Sequence, residues 1–492
     1  MNTMLVNIYN AEACRSLDAK AIGDCGIGGF TLMRRAGIAA VNEFCRTWAK
    51  PCRVDVVCGA GNNGGDGYLV AAALKARGYF CRVYCSGLPT SEDARQARAI
   101  AVEAGLEIFA ANRFGADAEV IVDALLGIGL SRSPAGEALD LINRINFSPA
   151  PVLSLDVPSG LNVNTGQAPG VAVNADVTVT FIGLKFGLMT GFGPNYTGRI
   201  VFADLGVPQF VYDSVPAMAF LCDGERLLNE IPQRSRCAHK GKHGHGVIIG
   251  GNYAMAGALR IASEAALRSG AGLVTAITRP EQTAQINQGR PELMVRGVDN
   301  DDAVLADLLH SKQVVGIGPG LGKDAWSGAM MTAILKKVRP LVIDADGLNW
   351  LAAYPQAVGQ AILTPHPAEA ARLLKSSVEK VQADRYQAVR NIATQYDAIC
   401  VLKGCGTLIS DGQSVYLCDR GNPGMASAGM GDCLTGVITA LIAQGVPLYS
   451  AAQCGVWLHA AAADKAAAHN GMIGMLATDL IDIIRQLINK IY

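Results

Sequence analysis

The stretch that most constrains this chain is residues 424–432, Gly-Met-Ala-Ser-Ala-Gly-Met-Gly-Asp, which runs straight into the apolar segment 433–443. Glycines at the start of an apolar helix let backbone N–H groups converge, and that geometry holds phosphate oxygens without a basic side chain. Asp432 closes the stretch. A carboxylate gains nothing from lying beside a phosphate, so its expected task is to take a proton from a hydroxyl that will attack or leave. A plain helix N-cap is the alternative.

At 492 residues the chain exceeds what one hydrophobic core supports, and two or more domains are expected. Lys plus Arg equals Asp plus Glu at 42 each, which excludes a basic field for nucleic acid and points to small-molecule partners. Half the residues are hydrophobic and 56 are glycine, a composition suited to α/β enzymes whose helices lie close on a parallel sheet. The cysteines are scattered from Cys14 to Cys454 without a CxxC pair; Cys81 and Cys85 come nearest to metal-ligand spacing, and reduced structural thiols are expected. No charged-then-apolar leader opens the sequence, and its most apolar region, 434–463, is cut by Gly445 and Pro447. A cytoplasmic protein with no membrane partner is the expectation.

Strand–helix alternation occurs twice, on either side of a seam near 213–246 that holds Pro216, Pro232, a basic cluster and His239, His243 and His245. The expected division is therefore a domain over 1–215, a linker over 216–240 and a domain over 241–492. A glycine-rich basic turn leading into a strand at 247–249 accounts for the three histidines, with a metal cluster as the alternative. In the first half, 53–58 reads as a buried strand, 59–67 as a loop and 68–77 as a helix. Further strands are expected at 82–85, 120–123, 152–156, 177–181 and 200–203, a parallel, Rossmann-like order. Asp123 and Asp156 fall at strand ends, where open α/β sheets bind ligands, although either could be a turn cap. Gly59, Gly61 and Gly64 have the spacing of a dinucleotide fingerprint, but Tyr84, Cys85 and Ser86 stand where an acidic ribose partner belongs. An ordinary NAD dehydrogenase is disfavoured. Asn62, Asn63 and Asp66 add amide and carboxylate oxygens to the glycines, a set able to hold a hydrated cation together with a phosphorylated ligand.

These residues carry a resemblance. Asn-Asn-Gly-Gly-Asp-Gly at 62–67, with VDALLGIGL at 122–130 and DVPSGL at 156–161, resembles the NAD(P)H-hydrate epimerases, the N-terminal part of the YjeF family, over roughly residues 10–215. The second half holds VIIGG at 247–251, a small-residue helix at 255–271, GIGPGLG at 316–322, DADGLN at 344–349, TPHPAEAARLL at 364–374 and LKGCGTLI at 402–409. With the stretch at 424–432, these resemble the ribokinase-like fold and, within it, the ADP-dependent NAD(P)H-hydrate dehydratases. The implied fold class is α/β: an N-terminal Rossmann-like three-layer domain with a parallel sheet, plus a C-terminal ribokinase-like α/β domain.

In the first domain the resemblance implies that Asn62, Asn63, Gly64, Gly65 and Asp66 contact the hydrated nucleotide. A loop formed by Gly127, Ile128, Gly129, Leu130, Ser131, Arg132 and Ser133 would close over it. Asn63, Asp123 and Ser159 are implied ligands of a potassium ion, a hard cation suited to such oxygen donors. Asp156 is the candidate acid/base, with Lys185 as a possible partner or a mere strand-end lysine. In the second domain, Lys403, Gly404, Cys405, Gly406, Thr407 and Gly431 would hold the phosphate portion of ADP, accompanied by Mg²⁺. Ala258, Gly320 and His366 would line the pocket for the hydrated nicotinamide nucleotide, and Asp432 would be the base. His366 lies between Pro365 and Pro367, which preset its backbone; a turn histidine bonded to a nearby carbonyl is the simpler reading. Cys405 is either an oxidation-sensitive point or a packing residue.

The implied activity is repair of NADHX and NADPHX. One domain would interconvert the R and S hydrates; the other would dehydrate the S form with ADP, giving AMP and phosphate. Departures from the family pattern, Ala60 and Ala428, are small residues for small residues. The alternatives are a ribokinase-like small-metabolite kinase with an N-terminal nucleotide-binding module, or a binding module without catalysis. A homo-oligomer is expected from the glycine- and alanine-rich surfaces.

Overall fold

The computed structural model describes residues 6–115, 117–130, 132–299, 305, 309, 314–337 and 340–491. The chain divides into two compact units, Asn7–Ala219 and a second that contains Phe220–Tyr492. The expected linker differs from this picture. Within 216–240, helix Gly224–Asn229 starts on Asp223, which caps the N–H groups of Glu225 and Arg226, and Cys222, Leu227 and Leu228 are buried in the second unit's core. Prolines and charges mask this short apolar pattern in the sequence, because six residues are too few to show a helical period.

The first unit has strands β1 (Asn7–Tyr9), β2 (Arg53–Cys58), β3 (Phe80–Cys85), β4 (Ile108–Ala110), β5 (Val120–Ala124), β6 (Val152–Leu155), β7 (Val177–Phe181), β8 (Leu184–Lys185) and β9 (Arg199–Ala203). Seven form one parallel sheet in the order β4-β3-β2-β5-β6-β7-β9, while β1 and β8 pair separately. The order reverses between β2 and β5, and such a switch point opens a crevice at the carboxyl ends of the strands. Strand β2 is buried in five of its six residues and β5 in all five, as expected for a sheet covered on both faces. The polar exception in β2, Asp55, is met by Arg82 through hydrogen bonds of 2.8 and 3.0 Å.

One expectation is overturned at the crevice. Residues 62–67 are not loop: helix Asn62–Ala76 begins at Asn62, with Gly65 N–H already bonded to Gly61 C=O at 3.2 Å. The glycines serve close approach rather than irregularity. A side chain on Gly59 would lie 1.9 Å from the Leu125 carbonyl oxygen, so the β2 and β5 ends can meet only without one.

β10 (Ala219–Leu221) starts on the last residue of the first unit, and the second contains the rest of it with β11 (His245–Ile249), β12 (Leu273–Thr278), β13 (Met294–Gly297), β14 (Val314–Ile317), β15 (Leu341–Ile343), β16 (Ala361–Leu363), β17 (Ile399–Leu402), β18 (Thr407–Ser410) and β19 (Val415–Cys418). They run in the order β13-β12-β11-β14-β15-β16-β17-β18-β19-β10, parallel except where β18 pairs with β17 and β19. A second switch point falls between β11 and β14. Helix Met430–Ala443 is buried at every residue from Cys433 to Ile442, packed against helix Ala256–Arg268 and the strands at the sheet centre. A helix apolar all round belongs in such a place, and burial fixes where its first turn points. His245 lies in β11 with its ring 2.8 Å from Thr275 Oγ1. Among the described residues, no three His, Cys, Asp or Glu side chains cluster as a metal site, and no helix is long and apolar enough to cross a membrane.

Two candidate active sites

In the first unit, the β2/β5 crevice opens into a cavity of about 830 Å³. Asn62, Asn63, Asp66, Gly127, Ile128, Gly129, Leu130, Arg132, Ser133, Asp156 and Lys185 all line it. Gly64 and Gly65 do not: they are buried beneath, Gly64 against the backbone of Gly59 and Gly65 against Met33 and Ala94. Ser131 lies outside the described residues. The N-terminal turn of helix Asn62–Ala76 adjoins the cavity without a side-chain cap, leaving N–H groups for an anion.

Asp156 follows β6 directly and takes a left-handed backbone, φ 63°, unusual for a residue other than glycine. Its carboxylate pairs with Lys185 Nζ and accepts a 3.2 Å bond from Phe181 N–H. Lys185 also donates to the Phe181 carbonyl at 2.7 Å, and its side chain is only 2% exposed against 15% for Asp156. Burial works against the lysine's charge, but Asp156 outweighs it and holds the ammonium form above its ordinary range.

Two further carboxylates lie in this cavity. Asp18, on helix Ala11–Gly23, is pushed up to about 6 by burial and by the charge of Asp156, against the pull of Lys185. Burial, with Asp156 and Asp18, raises Asp66 well above the carboxylate range. Sequence reasoning missed Asp18; its signal is the i, i+4, i+8 stripe Cys14, Asp18, Ile22, a carboxylate between two apolar residues on the helix face that lines the cavity.

Asp123 and Ser159 stand behind the cavity wall, fully buried. Asp123 accepts from Ser154 Oγ (2.8 Å), Ser159 N–H (2.8 Å), Ser159 Oγ (2.6 Å) and Leu125 N–H (3.2 Å). Asn63 joins the group through Leu126, whose carbonyl accepts from Asn63 Nδ2 at 3.0 Å and whose N–H donates to Ser159 Oγ at 2.7 Å. Asn63 Oδ1 is buried with no hydrogen-bond partner. A buried amide oxygen left unpaired costs free energy, and a cation would satisfy it.

The second site gathers at the carboxyl ends of β15, β16 and β17. Asp344, which follows β15, is buried and accepts from Lys403 Nζ (2.9 Å), Thr364 Oγ1 (2.8 Å) and Thr435 Oγ1 (2.9 Å). Burial opposes its charge, yet Lys403 and the hydroxyls keep the carboxyl below its ordinary range. Lys403 also reaches Glu369 at 3.9 Å, and Nζ lies 3.1 Å from where a side chain on Gly431 would start. Asp432, third residue of helix Met430–Ala443, is therefore not its N-cap; Gly429 is. Burial first, then the charges of Asp344, Asp346 and Glu369, push Asp432 up to about 7 against the pull of Lys403. Glu369 is likewise pushed up to about 7 by burial. Of residues 424–432 only Met430 is buried, so the stretch borders solvent.

His366 caps helix Pro367–Leu373 with its ring: Nδ1 accepts from Ala368 N–H (3.1 Å) and Glu369 N–H (3.4 Å), while Glu369 accepts from His366 N–H at 2.8 Å. It is bonded to amides, not to a carbonyl as the simpler reading expected. Accepting at Nδ1 places the neutral ring's proton on Nε2, 3.3 Å from Glu369 Oε1. Ala258 and Gly320 meet at the other switch point, where a Gly320 side chain would start 3.2 Å from Ala258 Cβ. Their loop reaches the acidic cluster through Gly322 N–H, which donates to Asp346 at 2.9 Å. Thr407 Oγ1 bonds Gly404 C=O at 3.0 Å, and Cys405 is exposed. Asp344 and Glu369 lie inside quoted motifs, but no spacing rule says which acid in a motif turns inward.

Comparisons with known proteins cover both halves of the chain. Residues 29–187 match the family described as YjeF-related protein N-terminus, and residues 246–486 match that described as NAD(P)H-hydrate dehydratase. The chain is 44% identical to the bifunctional NAD(P)H-hydrate repair enzyme of Coxiella burnetii, covering 98% of this chain and 99% of that one. The chain belongs to the bifunctional NAD(P)H-hydrate repair enzymes. A member from Escherichia coli is 41% identical over 98% of this chain and 94% of its own length. Among solved structures, the ADP/ATP-dependent NAD(P)H-hydrate dehydratase of Bacillus subtilis, co-crystallised with ATP and Mg²⁺, covers 55% of this chain and 98% of its own. It is 29% identical, with a TM-score of 0.51. The family thus accounts for both halves, and the resemblance drawn from the motifs holds.

Proposed function

We propose that the first unit interconverts the R and S hydrates of NADH and NADPH, and that the second dehydrates the S hydrate with ADP, releasing AMP and phosphate. The observation that carries this reading is the place of Asp432, in the first turn of a buried helix at a stretch that borders solvent, where burial pushes its carboxyl up to about 7. A base with that pKa can accept a hydroxyl proton at neutral pH.

In the dehydratase site, Asp432 takes the proton of the ring hydroxyl and that oxygen attacks the β-phosphorus of ADP, releasing AMP. The phosphorylated oxygen then leaves as phosphate, pushed by the ring nitrogen, while the neighbouring ring carbon loses a proton and the dihydronicotinamide is restored. The Lys403–Thr407 turn and the N–H groups around Gly431 hold the diphosphate. No three carboxylates converge here as a metal site among the described residues, so Mg²⁺ would enter with the diphosphate and would supply positive charge to its oxygens.

In the epimerase site Asp156, paired with Lys185, is the acid/base: it carries the hydroxyl proton to the ring nitrogen as the carbon–nitrogen bond opens to an aldehyde, and returns it as the nitrogen re-adds to the other face, with Asp18 lining the same cavity. Asn63, Asp123 and Ser159 would hold potassium: the unpaired Asn63 oxygen, the carboxylate and the hydroxyl fit a hard monovalent ion, which would supply charge beside the nucleotide. Asn63→Ala is expected to raise the potassium concentration that half-activates epimerisation by about 10-fold or more. Equal activation of mutant and native enzyme would remove Asn63 from the site. The fourteen free thiols suit a reducing compartment, and we place the enzyme in the cytoplasm.

Incubation with a mixed R/S hydrate preparation and ADP tests the whole reading. Absorbance of the reduced nucleotide should return completely, in step with AMP. A stable phosphorylated product would make the second unit a kinase, and R hydrate persisting indefinitely would leave the first unit without epimerase activity.

A further inference from the structure

Arg385 opens helix Arg385–Tyr396 and is 1% exposed. Its Nη1 donates to Gln382 Oε1 at 2.8 Å, and its Nη2 faces the carbonyl oxygens of Leu402 (3.2 Å), Lys403 (3.3 Å) and Gly406 (3.4 Å). Those three carbonyls belong to the turn that joins antiparallel β17 and β18, so the turn is wrapped around one guanidinium. Gly404, at its crest, has φ 131°, and a side chain there would start 3.0 Å from Arg385 Nη1. The wrap therefore needs both the arginine and the glycine.

In a trans peptide the C=O and N–H point in opposite directions. Carbonyls of Leu402, Lys403 and Gly406 turned toward Arg385 accordingly turn the N–H groups of Lys403, Gly404 and Thr407 away from it. Lys403 N–H is taken by the Pro365 carbonyl at 2.9 Å, which ties the turn to the His366 segment. The Gly404 N–H is directed outward at the crest of the turn. A planar guanidinium with several donors in a fixed fork can hold three oxygens at once, which an ammonium on a flexible stem does less well. Burial lowers the arginine's pKa only to about 10, so it stays charged at neutral pH.

We propose that Arg385 is a positioning residue of the dehydratase: it winds the 403–407 turn so that backbone donors face the nucleotide diphosphate, and it determines nucleotide affinity without touching the nucleotide. The proposal rests on the reading of 403–407 as the ADP turn.

The test uses the full chain and three variants, Arg385→Lys, Arg385→Gly and Lys403→Ala, with KM for ADP, KM for the S hydrate, kcat and Tm measured for each. Arg385→Lys is expected to raise KM for ADP by about 10- to 100-fold, as loss of an orienting partner does elsewhere, with KM for the hydrate within about twofold. Millimolar guanidinium should restore ADP affinity to Arg385→Gly. A purely structural arginine would lower Tm and kcat while leaving KM for ADP in place, and that result in Arg385→Lys overturns the proposal even if Arg385→Gly fails to fold. ADP affinity lost in Lys403→Ala but kept in the Arg385 variants sinks the positioning role alone; affinity kept in all three sinks the nucleotide turn with it.

Discussion

Asp432→Asn should lower kcat of the dehydratase by about 10²–10⁴, the usual worth of one well-placed base, while ADP still binds. The amide keeps the shape of the first turn and removes the proton acceptor. Loss of ADP binding together with the rate would make Asp432 a structural element of the helix start. The native enzyme should lose rate as pH falls below about 7, roughly tenfold per unit, because the base must be ionised to act. Stability runs the other way. A carboxyl whose folded pKa lies above its unfolded value binds more protons folded than unfolded, so its ionisation costs stability as pH rises from the ordinary carboxylate range toward 7. Asp432→Asn is therefore expected to raise Tm at pH 8, measurable by calorimetry of the dehydratase transition. A group that catalyses while destabilising its own fold is a common mark of an active site.

Asp156→Asn is the second large effect. Epimerisation is expected to fall by about 10²–10⁴, with dehydration of S hydrate unchanged. In the mixed-hydrate reaction the S form would disappear and the R form accumulate as a fixed residue, readable by chromatography. The same change leaves Lys185 buried without its carboxylate. Breaking a buried pair by removing one partner costs about 3–5 kcal/mol in general, and the small exposure of Asp156 places this pair toward the lower end. With Asp156 gone, burial weighs more heavily against the ammonium form, and Asp18 is the carboxylate left to oppose it. A variant that epimerises at the native rate would exclude Asp156 as the acid/base.

The sequence makes the layered architecture legible because strands buried on both faces read as unbroken apolar runs. Strands expected at 53–58 and 177–181 have those bounds, and 120–123 extends by one residue. The strand expected at 152–156 stops at Leu155, since Asp156 turns left-handed. The glycines at 61–67 mislead for a physical reason: glycine marks a loop or a close approach equally well, and here it lets a helix start against two strands. The site was legible where a motif carries it, as in Asn62, Asn63, Asp66 and Asp432. It was not where the fold alone brings residues together. Asp18 lies 138 positions from Asp156, and Arg385 is one arginine among many until the 403–407 turn is seen around it.

His366 carries one more consequence. An imidazole can accept amide N–H bonds only while one ring nitrogen is bare, so the cap on helix Pro367–Leu373 exists for the neutral ring alone. Burial, then Lys403 and Arg372, keep that ring's pKa below its ordinary value, and the cap's contribution is complete above the unfolded histidine range and drains away as pH drops through it. Acidification would thus unfasten the start of the helix that holds Glu369 beside Lys403, as an event separate from the protonation of Asp432.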